Sequence, residues 1–341
     1  MRLKVTFILI FALVLKLNAQ VYPDVNARLF TIVQKGDTVN FLKVDTCLTK
    51  KKPTIIFLQG SRQIPLIIDY VDFRFIPSIS NFDYQKLSTK YNIIVISKPY
   101  IPIVVSKDNL DSQFNCKSEK IDADVASKYF QNDMLDNYVT RTNAVVNYLA
   151  KQKWVDASQI LVVGHSEGAN IAIKLAKNKY VKAVGYLSGN PDGGFSKYLK
   201  ETRVERYSLK RTAAAVQDSI NLLYDDWKQK CSYNSQSPKN TKYYIAKAWL
   251  SFAGSLRDEI IAIKKPIFIA YGTEDIGRAI ANDLLPIYFM HKGKTNYKMM
   301  PMVGCGHNFE ELSPEGVSNF DKMYWDDVMN GFVRWFEDLK E

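Results

Sequence analysis

Four short stretches of this 341-residue chain hold residue types that together could perform nucleophilic chemistry. The first is Gly164-His165-Ser166-Glu167-Gly168. A serine hydroxyl attacks poorly until it is exposed and given a base, and a sharp strand-to-helix turn does the exposing. Gly164 and Gly168, lacking Cβ atoms, relieve the crowding such a turn creates. The helix that follows aims its amide-rich N-terminus at the serine, where negative charge would develop.

A serine nucleophile needs a general base, and the base needs a group to orient it. Only three histidines exist, so the search is short. His165 lies inside the turn and points away from the line of attack. His291 reads as a solvated helix terminus before Lys292-Gly293-Lys294. His307 lies in Val303-Gly304-Cys305-Gly306-His307-Asn308, after the last strand signal, and is the expected base. The acid should follow another strand. Tyr271-Gly272-Thr273-Glu274-Asp275 offers Asp275, with Glu274 as the alternative. Acyl chemistry also needs donors for an oxyanion. The backbone N–H of Glu167 is one candidate. The second is the N–H of Ser61, in Gln59-Gly60-Ser61-Arg62 after the strand ending at Leu58. Arg62 stands beside that loop and could bind a substrate carboxylate.

The elements that must position these residues are legible from apolar periodicity. Arg28 to Val33 and Thr38 to Val44 read as a hairpin around Lys35-Gly36-Asp37. Pro53–Leu58, Asn92–Ser97, Ile160–Val163 and Val181–Leu187 read as strands, as do Pro266–Tyr271 and Asn296–Met302. Their continuous apolar runs suit strands buried on both faces. Residues 63–90 are mixed, and 105–127 read as a polar surface excursion. Helices are expected over 133–151, with Leu135, Val139, Thr142, Val146 and Leu149 on one face, over 278–290, and over 321–339. Between about 195 and 260 the β character disappears. That segment is helical in pattern and rich in Tyr, Trp and Lys, Tyr198, Trp227 and Trp249 among them. Alternating strands and helices predict a parallel sheet covered on both faces.

Composition bounds the rest. The 47% hydrophobic and 24% charged fractions are those of a globular protein. Met1-Arg2-Leu3-Lys4, the apolar run Val5–Leu15 and the small residue Ala19 read as a secretory signal peptide over residues 1–19, cleaved after Ala19. A secreted or periplasmic address follows, with no stable membrane span after cleavage. Removal of Arg2, Lys4 and Lys16 lowers the net charge from +11 to +8. The lysines are scattered, apart from Lys50-Lys51-Lys52, and no basic helix interleaved with aromatics points to nucleic acid. Export permits disulfides. Cys47, Cys116, Cys231 and Cys305 allow three pairings. Cys116 with Cys231, both in polar segments, is expected first. No Cys-x-x-Cys metal or redox pattern occurs.

Taken in order, Gln59-Gly60, Gly164-His165-Ser166-Glu167-Gly168, Gly272-Thr273-Glu274-Asp275 and Gly304-Cys305-Gly306-His307 resemble the α/β-hydrolase family over residues 50 to 340. The chain order Ser…Asp…His is that family's own. The resemblance implies an α/β fold with a mostly parallel sheet of about eight strands, helices on both faces, and a helical cap inserted after the sixth strand, here 195–260. It implies Ser166, Asp275 and His307 as a triad, with Ser61 and Glu167 at the oxyanion hole. Many members carry His-Gly where this chain has Gln59-Gly60; the backbone donor survives that change. The chemistry requires neither a metal nor an organic cofactor. The expected substrate is a small-molecule ester; a short peptide, cleaved by an aminopeptidase-like or prolyl-oligopeptidase-like enzyme, is the alternative. A non-catalytic binding protein on the same fold is the reading from a different class.

Overall fold

The computed structural model describes residues 20–34, 36–117, 123–234 and 236–339. The expected signal segment lies outside the described residues. In chain order the strands are β1 (Val21–Tyr22), β2 (Ala27–Gln34), β3 (Asp37–Val44), β4 (Lys52–Leu58), β5 (Ile67–Asp69), β6 (Arg74–Phe75) and β7 (Asn92–Ile96). They continue as β8 (Val104–Ser106), β9 (Val155–His165), β10 (Val181–Leu187), β11 (Ile267–Gly272), β12 (Tyr297–Met302), β13 (Glu310–Leu312) and β14 (Ser318–Met323). The helices are α1 (Tyr84–Lys90), α2 (Ala123–Asn132), α3 (Leu135–Leu149), α4 (Glu167–Leu175), α5 (Gly194–Ser208) and α6 (Ala213–Ser232). After them come α7 (Thr241–Ala253), α8 (Arg257–Ala262), α9 (Ile276–Asp283), α10 (Leu285–His291) and α11 (Trp325–Asp338).

One nine-stranded sheet organises the chain, in the order β1-β2-β3-β7-β4-β9-β10-β11-β12. β1, β2 and β3 run antiparallel to their neighbours. From β7 to β12 every pairing is parallel. The ninth strand, beyond the eight expected, is the two-residue β1. From β7 to β11 both faces are buried, so those strands alternate between two apolar layers instead of between core and solvent, while the edge strand β12 stays partly exposed. Ile56, Ile94, Val162 and Ile269 face one layer with α3 and α4. Ile55, Ile93, Leu161 and Phe268 face the other with α11. Helix α3 buries Leu135, Tyr138, Thr142, Val145, Val146 and Leu149 along one stripe. Helix α11 does the same with Trp325, Val328, Phe332 and Phe336, each worth about 1.5–3 kcal/mol of burial.

Three expected boundaries differ. The helix expected over 321–339 begins at Trp325, because residues 318–323 pair with 310–312 as a hairpin. Asp326 and Asp327 then occupy its first turn, where the helix dipole favours acids. The helix expected over 278–290 is two helices, α9 and α10, with Pro286 opening the second; proline has no N–H to continue the first. The polar excursion over 105–127 is not purely a surface one. Leu110 and Cys116 join Ile68, Ile101 and Tyr129 in a small satellite core. The cysteine pair expected first is not formed. All four cysteines are free thiols; Cys116 is buried and Cys231 is exposed at the end of α6. Their segments are polar, but they sit in different environments.

The interval between β10 and β11 is filled by α5 to α8. Phe195, Trp227 and Trp249 form an aromatic cluster within it, with centroids 4.7 Å (Phe195–Trp227) and 5.0 Å (Trp227–Trp249) apart.

Candidate active site

β9 is central in the sheet, between β4 and β10, and ends at His165. The chain then turns through Ser166 at φ 57° and ψ −119° into α4. A positive φ is costly for a non-glycine residue and points to a turn that its surroundings hold in place. Gly164 and Gly168 permit that packing. A Cβ at Gly164 would run into the Gly168 carbonyl, and one at Gly168 into the Leu58 carbonyl at the end of β4. The strain therefore lifts Ser166 Oγ above the sheet beside Gly60.

His307 follows β12 and reaches back across the strand ends. Its Nε2 is 3.0 Å from Ser166 Oγ, and its Nδ1 is 2.7 Å from Asp275 Oδ2. A carboxylate only accepts, so Nδ1 carries the proton and Nε2 is left to accept from the serine hydroxyl. Asp275 is buried, and Glu274, the alternative acid, is exposed and contacts Thr273. Of the three histidines, His291 is exposed at the end of α10, far from this chemistry in role and setting.

The electrostatics follow from burial and partners. Burial alone would raise the Asp275 carboxyl; its hydrogen bond to His307 and the neighbouring Arg278 hold it below the ordinary value. Burial pushes the His307 imidazole below its usual value despite Asp275, with Arg278 and Lys197 acting in the same direction as burial. His307 is then neutral, and able to accept a proton, at neutral pH. Burial pushes the Glu167 carboxyl up to about 7, against the pull of the buried Lys98.

The amides expected to hold an oxyanion are also at this point. Glu167 is the first residue of α4, so its N–H has no partner within the helix. Ser61 lines the clefts on both sides of Ser166. One cleft, of about 200 Å³, lies between the Gln59–Arg62 loop, Asn81, His307 and Trp325. The other, of about 340 Å³, runs beneath α5 and α7 past Glu167, Lys197, Tyr198, Trp249 and Arg278. Arg62 is exposed at the rim of the first. Among the described residues no group of His, Cys, Asp or Glu could hold a metal ion, and no helix is long and apolar enough to cross a membrane.

Two further contributors lie outside the sequence pattern that singles out the others. His165 does not merely point away: its Nε2 donates to the His307 carbonyl at 3.0 Å, and its ring packs edge-on to Trp325. The partner is distant in sequence, so spacing could not reveal it. Arg278 places Nη1 on both Asp275 oxygens, at 3.0 and 3.1 Å. The Asp-x-x-Arg spacing at a helix start was a usable signal for that pair.

No family model and no curated protein sequence matches the chain. Solved structures do resemble it. A Bacteroides ovatus protein provisionally assigned as a dipeptidyl aminopeptidase IV shares 12% identity at a TM-score of 0.53, over 92% of this chain and 35% of its own. The uncomplexed acylaminoacyl peptidase of Pyrococcus horikoshii shares 15% identity at a TM-score of 0.51, over 90% of this chain and 41% of its own. A Klebsiella pneumoniae protein provisionally assigned as a dienelactone hydrolase shares 12% identity at 0.51, over 91% of this chain and 96% of its own. The chain thus spans well under half the length of the two peptidase structures and nearly all of the third. At these identities the likeness establishes architecture, and with the parallel sheet and strand order above it gives the chain the α/β-hydrolase fold.

Proposed function

We propose that the chain is an exported serine hydrolase that cleaves a small carboxylic ester through an acyl-enzyme. The observation that carries this reading is the hydrogen-bonded line Ser166–His307–Asp275, ending on a serine at positive φ. His307 Nε2 takes the hydroxyl proton as Ser166 Oγ attacks the carbonyl carbon. Asp275 keeps the imidazole oriented and stabilises the imidazolium that forms. The Glu167 and Ser61 amides hold the oxyanion; losing one such donor typically costs ~100- to 1,000-fold in rate. His307 returns the proton to the leaving alcohol, and water repeats the sequence to release the acid.

The two clefts that meet at Ser166 supply room for the acyl and leaving groups, and the larger is the size of a small-ligand site. Export rests on the signal-like residues 1–19. The peptidase reading shares every step, and the resemblance to an acylaminoacyl peptidase keeps it as the alternative.

The test is turnover of short-chain p-nitrophenyl esters beside aminoacyl and prolyl p-nitroanilides, with Ser166→Ala as control. Ester turnover lost in the variant, with anilides untouched, is the expected result. Comparable anilide cleavage moves the assignment to a peptidase. If a fluorophosphonate also fails to label Ser166, the hydrolase reading is wrong and a binding role takes its place.

A further inference from the structure

The Asp275 carboxylate is at the N-cap of α9, where an aspartate ordinarily accepts from an amide of the first helical turn. Here it makes no such bond. Oδ2 receives His307 Nδ1, and both oxygens receive Nη1 of Arg278, one turn along the helix. With the usual backbone tether missing, the carboxylate is held by Arg278 on one side and His307 on the other. The guanidinium is itself mostly buried, with its side chain 16% exposed, and it lines the cleft beneath α5 and α7.

The neighbouring residue explains what holds Arg278. Gly277 is where α5 presses on α9: a Cβ there would stand 2.6 Å from Lys197 Cγ, 2.9 Å from the Lys197 carbonyl and 3.1 Å from Glu201 Oε1. The helical segment between β10 and β11 therefore rests directly on the turn that presents Asp275 and Arg278.

We infer that Arg278 is a positioning residue for the proposed reaction, and that through it the packing of α5 on Gly277 sets the orientation of Asp275 toward His307. This rests on the hydrolase reading above. The charged and titratable groups around the pair are Lys197 and Glu201 from α5, Glu167 from α4, Tyr186 from β10, His165 from the elbow, and Asp275, Arg278 and His307 themselves. Arg278 and Lys197 disfavour the imidazolium; Asp275 favours it. Loss of the Arg278 charge moves the His307 titration upward; loosening that admitted water would push it the same way, so Arg278→Lys, which keeps the charge, separates the two.

The experiment uses the full chain and the rate of Ser166 phosphonylation by a fluorophosphonate, measured across pH for wild type, Ser166→Ala, Arg278→Gln, Arg278→Lys and Gly277→Ala. Wild type should label and Ser166→Ala should not. Arg278→Gln should label roughly 100-fold more slowly, the scale of a small misplacement of a catalytic group, with its acid limb at higher pH. Arg278→Lys should keep the acid limb in place while losing part of the rate, because an ammonium keeps the charge but not the planar fork. Gly277→Ala should slow labelling by displacing α5 without removing any polar group. The low-field proton resonance of the His307–Asp275 hydrogen bond should weaken in Arg278→Gln. If wild type labels and Arg278→Gln or Arg278→Lys matches it in rate and pH profile, the inference is overturned while the hydrolase reading stands. If wild type does not label, both fall. Should Arg278→Gln fail to fold, the Lys variant and Gly277→Ala decide, since unchanged rates in both overturn the inference.

Discussion

His165 Nε2 donates to the backbone carbonyl of His307 at 3.0 Å, so the residue before the nucleophile holds the loop that carries the proposed base. Burial pushes the His165 imidazole down to about 3, and the folded state keeps it neutral. Below its ordinary value of about 6.5 the unfolded chain binds a proton that the folded chain refuses, so stability falls as pH drops from that value toward 3. The effect is on the order of 5 kcal/mol at its fullest. His165→Asn should flatten the decline of Tm between pH 6.5 and 4 and should also slow Ser166 labelling. An unchanged slope would assign the acid sensitivity to other groups.

The elbow glycines make a sharper stability prediction. Gly164→Ala and Gly168→Ala each put a methyl group into a backbone carbonyl. Overpacking against backbone typically costs ~1–3 kcal/mol or more. Both variants should show a lowered Tm or fail to fold, while Ser166→Ala, at the same turn, stays folded. Wild-type Tm in either glycine variant would mean the turn is looser than drawn.

Asp275→Asn should leave the fold intact and cost about 1,000- to 10,000-fold in kcat, because an amide can no longer enforce the Nδ1–H tautomer. Glu274→Gln should be close to silent. With His307 held below the usual imidazole value, the acid limb of kcat/KM should lie below about pH 6.5. Equal losses in the two variants would return Glu274 to consideration as the acid.

Glu167 titrates the other way. Its carboxyl is raised to about 7, so the folded state favours the protonated form and stability is lost as pH climbs from about 4.5 to 7. Glu167→Gln should raise Tm at pH 8, by an amount on the order of 1–3 kcal/mol in stability, and make little difference at pH 4.5. A variant no more stable than wild type at pH 8 would show that Lys98 already compensates the ionised form.

How much of this could be read beforehand depended on the length scale of the cause. The strands β4, β7, β9, β10 and β11 announce themselves because burial on both faces demands unbroken apolar runs, such as Ile160–Val163. Ser166 and its glycines are legible because the turn's steric needs fall within five residues. His307 and Asp275 could be named because few histidines exist and each follows a strand. Harder to see were interactions whose partners are far apart in sequence. The His165–His307 bond and the seating of α5 on Gly277 have no local pattern to betray them. The small sheet of β5, β6 and β8 was equally hidden, since two- and three-residue strands carry no measurable period. The cysteine pairing failed for the same reason: polar neighbours along the chain said nothing of the interior that Leu110, Ile101 and Tyr129 build around Cys116.

The segment holding α5 to α8 leaves from the end of β10 and returns to β11, and those two strands are immediate neighbours in the sheet. Because the two strands run parallel, the segment leaves at the C-terminal end of β10 and re-enters at the N-terminal end of β11, so it also serves as their crossover, and its length is free of the register that aligns Val184 with Ile267. That makes the segment exchangeable: a different set of helices could be grafted there, provided the last of them carries the chain back to β11, while the sheet underneath stays as it is. The freedom has a further condition. Whatever replaces α5 must lie flat on Gly277, so a transplant that ignores that footprint would disturb the turn that presents Asp275.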